Sequence, residues 1–183
     1  MDYILQTEKL FSYLKFNFDQ SDYLKIDSIK RKFSQDFNLI GCFVKDFLIL
    51  KLEKRNIPDV KLYETFVLFF EKNISSKNRI LEELNTFGEY YLMLVFENCE
   101  NPEILSAIST INLCYCMEVY PLLMQILDNY FNDIVDRNIT IKMLQSLVSI
   151  VLARFENELG YDIDFEEELR KNYNKDNFIG EIA

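Results

Sequence analysis

The stretch Thr140-Ile-Lys-Met-Leu-Gln-Ser-Leu-Val-Ser-Ile-Val-Leu-Ala-Arg-Phe155 indicates the fold class of this 183-residue chain. Its apolar residues recur at steps of three and four, which is the spacing of one side of an α-helix. They are Ile141, Leu144, Leu147, Val148, Val151, Leu152 and Phe155. We expect a helix over residues 140–159 whose stripe faces a core, with Thr140 capping the first turn and Gly160 ending the last.

Other segments of the chain carry similar signals. Asn101 followed by Pro102 predicts a helix start, because proline at the first helical position sacrifices no hydrogen bond. This helix should run to about Val119, and Pro121 should then break or kink the chain before a further helix to about Val135. We also expect helices near residues 4–16, 22–34, 38–55, 59–73 and 77–98, and a short acidic helix near 164–173.

The numbers of turn-forming residues favour helices throughout. Four Gly and three Pro are too few for a sandwich or barrel, whose strands need frequent turns. We therefore predict an all-α fold, an irregular multi-helix bundle of about eight or nine helices. No linker or repeat divides the chain, so residues 1–183 are predicted to form a single helical domain with a frayed acidic tail from about residue 174.

Charge is placed unevenly along the chain, whose net charge is −10. Residues 74–155 hold five Lys/Arg against ten Asp/Glu, and residues 156–183 hold three against nine. A surface that binds DNA gains affinity by neutralising phosphates, so an acidic domain without a long basic stripe is a poor DNA binder. We expect no direct nucleic-acid binding by this chain alone, whereas a protein partner fits.

The location of the protein is predicted from its cysteines and its first residues. Met1 and Asp2 do not begin a basic and apolar leader, and the four cysteines are expected to be free, buried thiols in the cytoplasm. The Cys114-x-Cys116 spacing does not fit a zinc knuckle. Residues 104–127 are long enough to cross a membrane, but Glu118 and several polar residues favour two buried helices of a bundle. No membrane association is expected.

Residue types suited to catalysis are sparse. The chain has no histidine, and it has neither a glycine-rich phosphate loop nor a calcium-loop pattern, so we expect no catalytic residue, no cofactor and no metal. Neighbouring carboxylates occur at Glu82 and Glu83 and at residues 166–168. Because consecutive helical residues diverge by about 100°, solvated helix faces explain these carboxylates better than a shared metal site.

Basic and aromatic clusters each have two readings. The basic residues Lys30, Arg31, Lys32, Lys51, Lys54 and Arg55 could contact phosphates, or could balance Asp27, Asp36, Asp46 and Glu53 nearby; we favour the second. The aromatic residues Phe66, Phe69, Phe70, Tyr90 and Tyr91 could stack on bases, but their spacing favours a core.

Three segments, in order, resemble a known family. They are Phe43-Val-Lys-Asp-Phe-Leu48, Lys61-Leu-Tyr-Glu-Thr-Phe66 and Tyr120-Pro-Leu-Leu-Met-Gln-Ile-Leu127, followed by a helix with a basic residue, Arg154. Together they resemble the central helical region of GmrSD-type proteins, which restrict foreign, modified DNA. That family carries an N-terminal Asp-Gly-Gln-Gln-Arg motif and often a C-terminal His-Asn-His nuclease domain, and this sequence has neither motif.

The resemblance implies a helical scaffold whose flanking domains or protein partner lie elsewhere. The positions that match the family pattern are Phe43, Lys45, Asp46, Tyr63, Glu64, Phe66, Tyr120, Pro121 and Arg154. We expect them to be structural: Lys45 and Asp46 in surface or half-buried ion pairs, Tyr63 at the edge of the core, and Pro121 at a helix start. None is assigned to catalysis.

Three functional hypotheses follow from these observations. The first is a noncatalytic helical scaffold or interaction module from a GmrSD-like restriction system. The second is an acidic protein-binding module, comparable to a DNA mimic or an antitoxin, that acts on a basic partner through its acidic tail. The third is an enzyme that uses carboxylates and a divalent metal ion.

Overall fold

The structure is a computed structural model that describes residues 3–156, and every regular element in that range is helical. The eight α-helices are α1 (Tyr3–Asn17), α2 (Tyr23–Lys32), α3 (Phe37–Leu52), α4 (Leu62–Lys72), α5 (Lys77–Phe96), α6 (Pro102–Leu113), α7 (Tyr120–Phe131) and α8 (Arg137–Glu156). Short 3₁₀ turns precede α2, α4, α5 and α7. The prediction of an all-α multi-helix bundle is confirmed. The predicted helix at 164–173 and the acidic tail lie outside the described residues.

Three helices begin at side-chain caps that satisfy the free backbone N–H groups of their first turns. Asp36 Oδ1 accepts from the backbone N of Asn38 and Leu39 at the start of α3, and the amide oxygen of Asn101 caps α6 in the same way. The prediction of a helix start at Asn101 and Pro102 is confirmed.

The predicted cap of α8 is wrong. The Asp136 carboxylate accepts from the backbone N of Asn138 at 2.7 Å and of Ile139 at 3.0 Å, so the helix begins three residues before Thr140. Thr140 is buried in the first turn, where its hydroxyl donates to the backbone oxygen of Asp136. An ionised carboxylate is a stronger acceptor than a hydroxyl, and here it takes the capping position. Gly160 lies outside the described residues.

The helix predicted to run from Pro102 to Val119 is shorter in the structure. It ends at Leu113, where Tyr115 has a left-handed backbone (φ 54°) and the backbone N of Cys116 donates to the oxygen of Ile111 at 3.3 Å. Residues Met117–Val119 form a 3₁₀ turn, and Pro121 is the second residue of α7. Proline therefore begins a helix, which is the structural role expected for it, and the predicted break in the chain lies before it, between α6 and α7. Residues 104–127 form two helices, as expected.

Helix α3 lies at the centre of the bundle, in contact with α1, α4, α5 and α7. Phe43 and Phe47 on α3 are fully buried, and Phe43 stacks on Phe33 with ring centroids 5.2 Å apart. A Cβ added to Gly88 of α5 would lie 3.3 Å from the Phe33 ring, so glycine permits this close approach. The buried apolar side chains of all eight helices belong to one continuous core.

Helix α8 lies at the edge of the bundle, mainly against α6 and α7. Its apolar stripe was predicted to face a core, and this is confirmed only in part. Leu144, Leu147 and Val151 are buried, whereas Leu152 is 37% exposed and Phe155 is 59% exposed. Over Arg137–Phe155 this helix is long and apolar enough to cross a membrane, which is weak evidence because a helix of a soluble bundle can meet the same condition.

Candidate functional site

The structure divides the nine positions of the family pattern among separate places. Phe43 and Phe66 are fully buried core rings, Tyr63 is half-buried and lies edge-on to Tyr13, and Glu64 is exposed. Asp46, Tyr120 and Pro121 lie where α3 meets α7, and Arg154 lies on α8 beside the turn that leads into α7. The pattern therefore does not converge on one site. The structural roles expected for Phe43, Tyr63, Phe66 and Pro121 agree with this placement.

Lys45 and Asp46 have different surroundings although they are neighbours on α3. Lys45 Nζ lies 2.9 Å from Asp59 Oδ1 in the 3₁₀ turn before α4, which is the kind of ion pair expected for it. Asp46 is half-buried, and none of the ion pairs found within residues 3–156 includes it, so that part of the prediction is wrong. Consecutive helical positions point in different directions, and Asp46 lies close enough to Tyr120 of α7 for its charge to raise the pKa of that hydroxyl.

Asp46 is the most strongly perturbed carboxyl of the region that the structure describes. Burial raises its pKa to about 7, and the nearby Lys45 charge offsets only part of the loss of hydration. Its negative charge, with that of Glu97, adds to burial in raising the pKa of Tyr120 to about 12. Perturbed groups of this kind mark candidate functional sites, which makes the contacts of Asp46 and Tyr120 a candidate site.

A chain of hydrogen bonds leads from Tyr120 to the surface. The Tyr120 hydroxyl donates to Asn112 Oδ1 at 2.8 Å, and Asn112 Nδ2 donates to the backbone oxygen of Leu94 at 2.9 Å and to Glu97 Oε1 at 3.2 Å. Ser109 Oγ donates to the other oxygen of Glu97 at 2.6 Å. These bonds hold the pKa of the exposed Glu97 carboxyl below its usual value, so Glu97 is ionised at neutral pH.

The thiols near this network are not activated for nucleophilic attack. Burial and the Asp46 charge raise the pKa of Cys42, and burial with the Glu118 charge raises the pKa of Cys116 to about 11. A nucleophilic cysteine needs a lowered pKa, so both arrangements disfavour the thiolate. All four cysteines are free, as expected, but only Cys116 is buried, and the other three are half-buried.

Two residues of the basic cluster, Lys32 and Lys51, form ion pairs. Lys32 pairs with Glu89, and Lys51 Nζ lies 3.1 Å from Glu83 and 4.5 Å from the centroid of the Phe87 ring. The preferred reading, charge balance, agrees with these contacts. The partners are on α5, however, and are not the acidic residues that the sequence suggested, because the helices bring distant residues together.

The positions of the neighbouring carboxylates and of the aromatic cluster distinguish between the interpretations given for each. For the carboxylates these are a metal site and solvated helix faces, and for the aromatic residues they are base stacking and a core. Glu82 is exposed, whereas Glu83 turns toward Lys51 and Arg79, so the two do not share a ligand site. Across residues 3–156, no group of three Cys, Asp or Glu side chains could hold a metal ion, and residues 166–168 lie outside that range. Each member of the aromatic group is buried, as predicted: Phe66, Phe69, Phe70, Tyr90 and Tyr91.

Large apolar side chains are exposed where α5, α6 and α8 end. The bonds from Ser109 and Asn112 to Glu97 join the end of α5 to α6, and the 3.1 Å ion pair between Arg154 and Glu118 joins the end of α8 to the turn before α7. We refer to the exposed apolar residues of these joined segments as the apolar end. They are Phe96 (65% exposed), Leu113 (74%), Tyr115 (82%), Met117 (59%) and Phe155 (59%).

Four of the five residues of the apolar end lie in a part of the chain that contains no basic residue. Between Arg79 and Arg137 the sequence contains no Lys or Arg and ten carboxylates: Glu82, Glu83, Glu89, Glu97, Glu100, Glu103, Glu118, Asp128, Asp133 and Asp136. The excess of acidic residues over 74–155 was evident from the sequence, but this gap in Lys and Arg was not part of the prediction. The signal was present in the spacing of Lys and Arg, but its link to exposed apolar residues needed the fold.

A shallow groove of about 550 Å³ lies between α6 and α8, near the residues where both helices begin. Glu103 and Arg137, which form an ion pair across it, line the groove with Asn138, Ile141 and Lys142. Its polar residues are already paired or solvated, and they present no arrangement suited to catalysis.

Comparison with known proteins found no match: no family model, no curated protein and no solved structure is similar to this chain. The resemblance to GmrSD-type proteins therefore stays a prediction.

Proposed function

We propose that this chain is a noncatalytic helical interaction module, with the apolar end as its binding surface. The observation that carries the proposal is the exposure of Leu113, Tyr115 and Met117 within five consecutive residues. A folded monomer gains by burying apolar groups of this size, and several of them exposed in one short segment are typical of a protein-binding surface. The raised pKa values of the Cys42 and Cys116 thiols disfavour nucleophilic catalysis by either residue.

The parent system that we propose is a GmrSD-like restriction system that defends against foreign DNA. Support comes from the three ordered segments that resemble the family and from their lack of both catalytic motifs. In such a system the bundle would hold nucleotide-sensing and nuclease domains, or a partner subunit, in position. Any activity would then belong to domains that this chain does not contain.

Enzymatic assays of the purified chain test this proposal directly. With Mg²⁺ or Mn²⁺ present, we expect neither hydrolysis of nucleoside triphosphates nor cleavage of modified or unmodified DNA. The matched variants are Asp46→Asn and Glu64→Gln, which remove the two carboxylates of the family pattern. Turnover by the native chain that either substitution abolishes would overturn the noncatalytic role. A rise in melting temperature on adding Mg²⁺ would revive the metal-dependent alternative.

The second candidate function is an acidic module that occupies a basic groove, as DNA mimics and antitoxins do. The absence of Lys and Arg between Arg79 and Arg137 favours it, together with the acidic residues after 156. Such binding should be strongly salt-dependent, since it rests on charge. Deletion of residues 160–183 should abolish it if the tail carries the contact, and unchanged binding to a basic protein would exclude that role for the tail.

A further inference from the structure

We propose that the apolar end binds a basic amphipathic helix of a partner protein, with Leu113 and Tyr115 filling its apolar face and Glu97 and Glu100 pairing with its basic residues. This inference rests on the proposed interaction function and adds the chemistry of the partner. It concerns the region where α5, α6 and α8 end, and it uses none of the buried groups around Asp46.

The backbone keeps large side chains at two positions that usually favour glycine. Glu97 ends α5 and Tyr115 follows α6, and both have a left-handed backbone, with φ of 51° and 54°. Residues other than glycine and asparagine adopt this conformation at a cost of about 1 kcal/mol. Tyr115 is 82% exposed, so few contacts within the chain offset that cost. A contact with another molecule would explain why a large aromatic side chain occupies this position.

The negative charge around the apolar end favours a basic partner. Glu97 follows Phe96 and accepts a hydrogen bond from Asn112, the neighbour of Leu113, and Glu100 is exposed three residues later. The basic residue of the adjoining segments, Arg154, already pairs with Glu118. An anionic rim around an apolar centre disfavours acidic proteins and anionic lipid surfaces. It favours a helix with an apolar stripe and flanking Lys or Arg residues, which binds as helices commonly bind in grooves.

The hydrogen bonds that fix the Glu97 side chain also favour a basic partner. Its two carboxylate oxygens accept from Ser109 at 2.6 Å and from Asn112 at 3.2 Å, so the charge is held in place beside the apolar residues. A prepositioned carboxylate loses little side-chain freedom when a cation binds. Glu118 is held in the same way by Arg154 on the far side of the turn.

A peptide titration of the full chain tests the inference. The probe is a fluorescent peptide of about five helical turns with Leu on one face and Lys on the other. The matched peptide carries Glu in place of Lys. We expect the Lys peptide to bind with a dissociation constant below about 100 µM at low salt, and to weaken at least tenfold in about 300 mM NaCl. The Glu peptide should not bind.

Paired substitutions locate the site. Leu113→Ser should weaken binding at least tenfold, whereas Leu24→Ser, at a residue of equal exposure on α2 (73% against 74%), should leave it within twofold. Tyr115→Gly should also weaken binding tenfold without loss of fold. The double substitution of Glu97 and Glu100 by Gln should weaken binding and flatten its salt dependence, with Glu64→Gln as the control.

Several results would overturn this inference. They are no binding of the Lys peptide, equal binding of the Glu peptide, or equal loss in the Leu24 and Leu113 variants. Self-association that Leu113→Ser abolishes would show instead that a second copy covers the apolar end. In that case the interaction module would stand and the basic partner would be excluded. Enzymatic turnover would refute the proposed function whichever way the peptide result falls.

Discussion

The two sides of the bundle are held together by different means. Around α3, aromatic rings from α2, α3 and α5 pack against one another, and Lys residues pair with carboxylates of neighbouring helices, as Lys51 does with Glu83. Around α6 and α8 the core is mainly aliphatic, ion pairs are fewer, and large apolar residues face solvent. Both sides expose some large apolar residues, such as Phe16 (88%) and Leu68 (60%) on the first. What distinguishes the second side is that its exposed apolar residues occur where α5, α6 and α8 end, with fewer ion pairs nearby.

The largest expected effect comes from removing a ring at the centre of the first side. Phe43→Ala should lower the free energy of unfolding by about 4 kcal/mol, because a fully buried ring is replaced by a cavity. Phe155→Ala is the matched change on the second side, and its 59% exposure limits the expected loss to about 0.5 kcal/mol. Urea unfolding of both variants measures the difference. Similar losses would contradict the contrast between the two sides.

Asp46 lies on α3, on the first side, and should make stability depend on pH. Its pKa is raised to about 7 in the folded protein, against an ordinary value of 3.8, so the folded state binds the proton more tightly than the unfolded state does. The contribution of Asp46 to the free energy of unfolding should therefore be most favourable below about pH 4. It should decrease as the pH rises toward 7. Above that pH the carboxylate is ionised in both the folded and the unfolded state, and the folded state still bears the free-energy cost of a buried charge.

Asp46→Asn isolates this contribution from those of other carboxylates. At pH 8 the variant should be more stable than the native chain by about 2 kcal/mol, allowing for the solvent contact that the carboxylate retains. At pH 4 the two should be equally stable. Thermal or urea unfolding at both pH values measures the difference, and a constant difference across the range would show that the carboxyl is solvated in the folded protein.

Arg154 should affect the free energy of unfolding less than Asp46 does, because its ion pair with Glu118 lies near the surface. Replacing Arg154 by Met is expected to lower the free energy of unfolding by about 1 kcal/mol. A double-mutant cycle with Glu118→Gln would measure the coupling between the two side chains, which we expect to shrink in high salt. Coupling that salt does not change would indicate that the pair is more buried than its exposures of 16% and 34% suggest.

The smallest expected effect has the opposite sign. Tyr115→Gly should raise the free energy of unfolding by about 0.5 kcal/mol, because glycine adopts the left-handed backbone without strain and the exposed ring contributes few contacts. Glu53→Gly, which replaces another left-handed residue at the end of α3, is the control on the first side. Destabilisation of the Tyr115 variant alone would show that its ring packs on the chain and is not free for a partner.

Much of the fold could be predicted from the sequence because helix signals are local. The three- and four-residue spacing of apolar residues, and Asn101 followed by Pro102, indicated elements that the structure contains. Helix ends were less predictable, since Asp136 competes with Thr140 for the cap and Tyr115 adopts a backbone conformation typical of glycine. Such choices depend on a balance of about 1 kcal/mol that no periodic pattern reveals.

The candidate sites could be predicted only in fragments. Asp46 and Tyr120 were singled out by the family pattern, but their shared environment arises because α3 packs against α7. The apolar end combines residues from α5, α6, α8 and a turn, and only their packing brings these residues together. Residue types along the chain indicated an acidic protein without a catalytic histidine, and nothing in their order indicated which apolar residues would stay exposed.

Local patterns in the chain were sufficient to specify that it folds as α-helices and where most of them lie, because each helix depends on residues within a few positions of one another. Packing between helices settled which stripe positions became core. Leu144 and Leu152 share one apolar pattern on α8, yet one is buried and the other is 37% exposed. The cause is that, among residues 3–156, α8 packs mainly against α6 and α7, and this packing is a property of the assembled bundle.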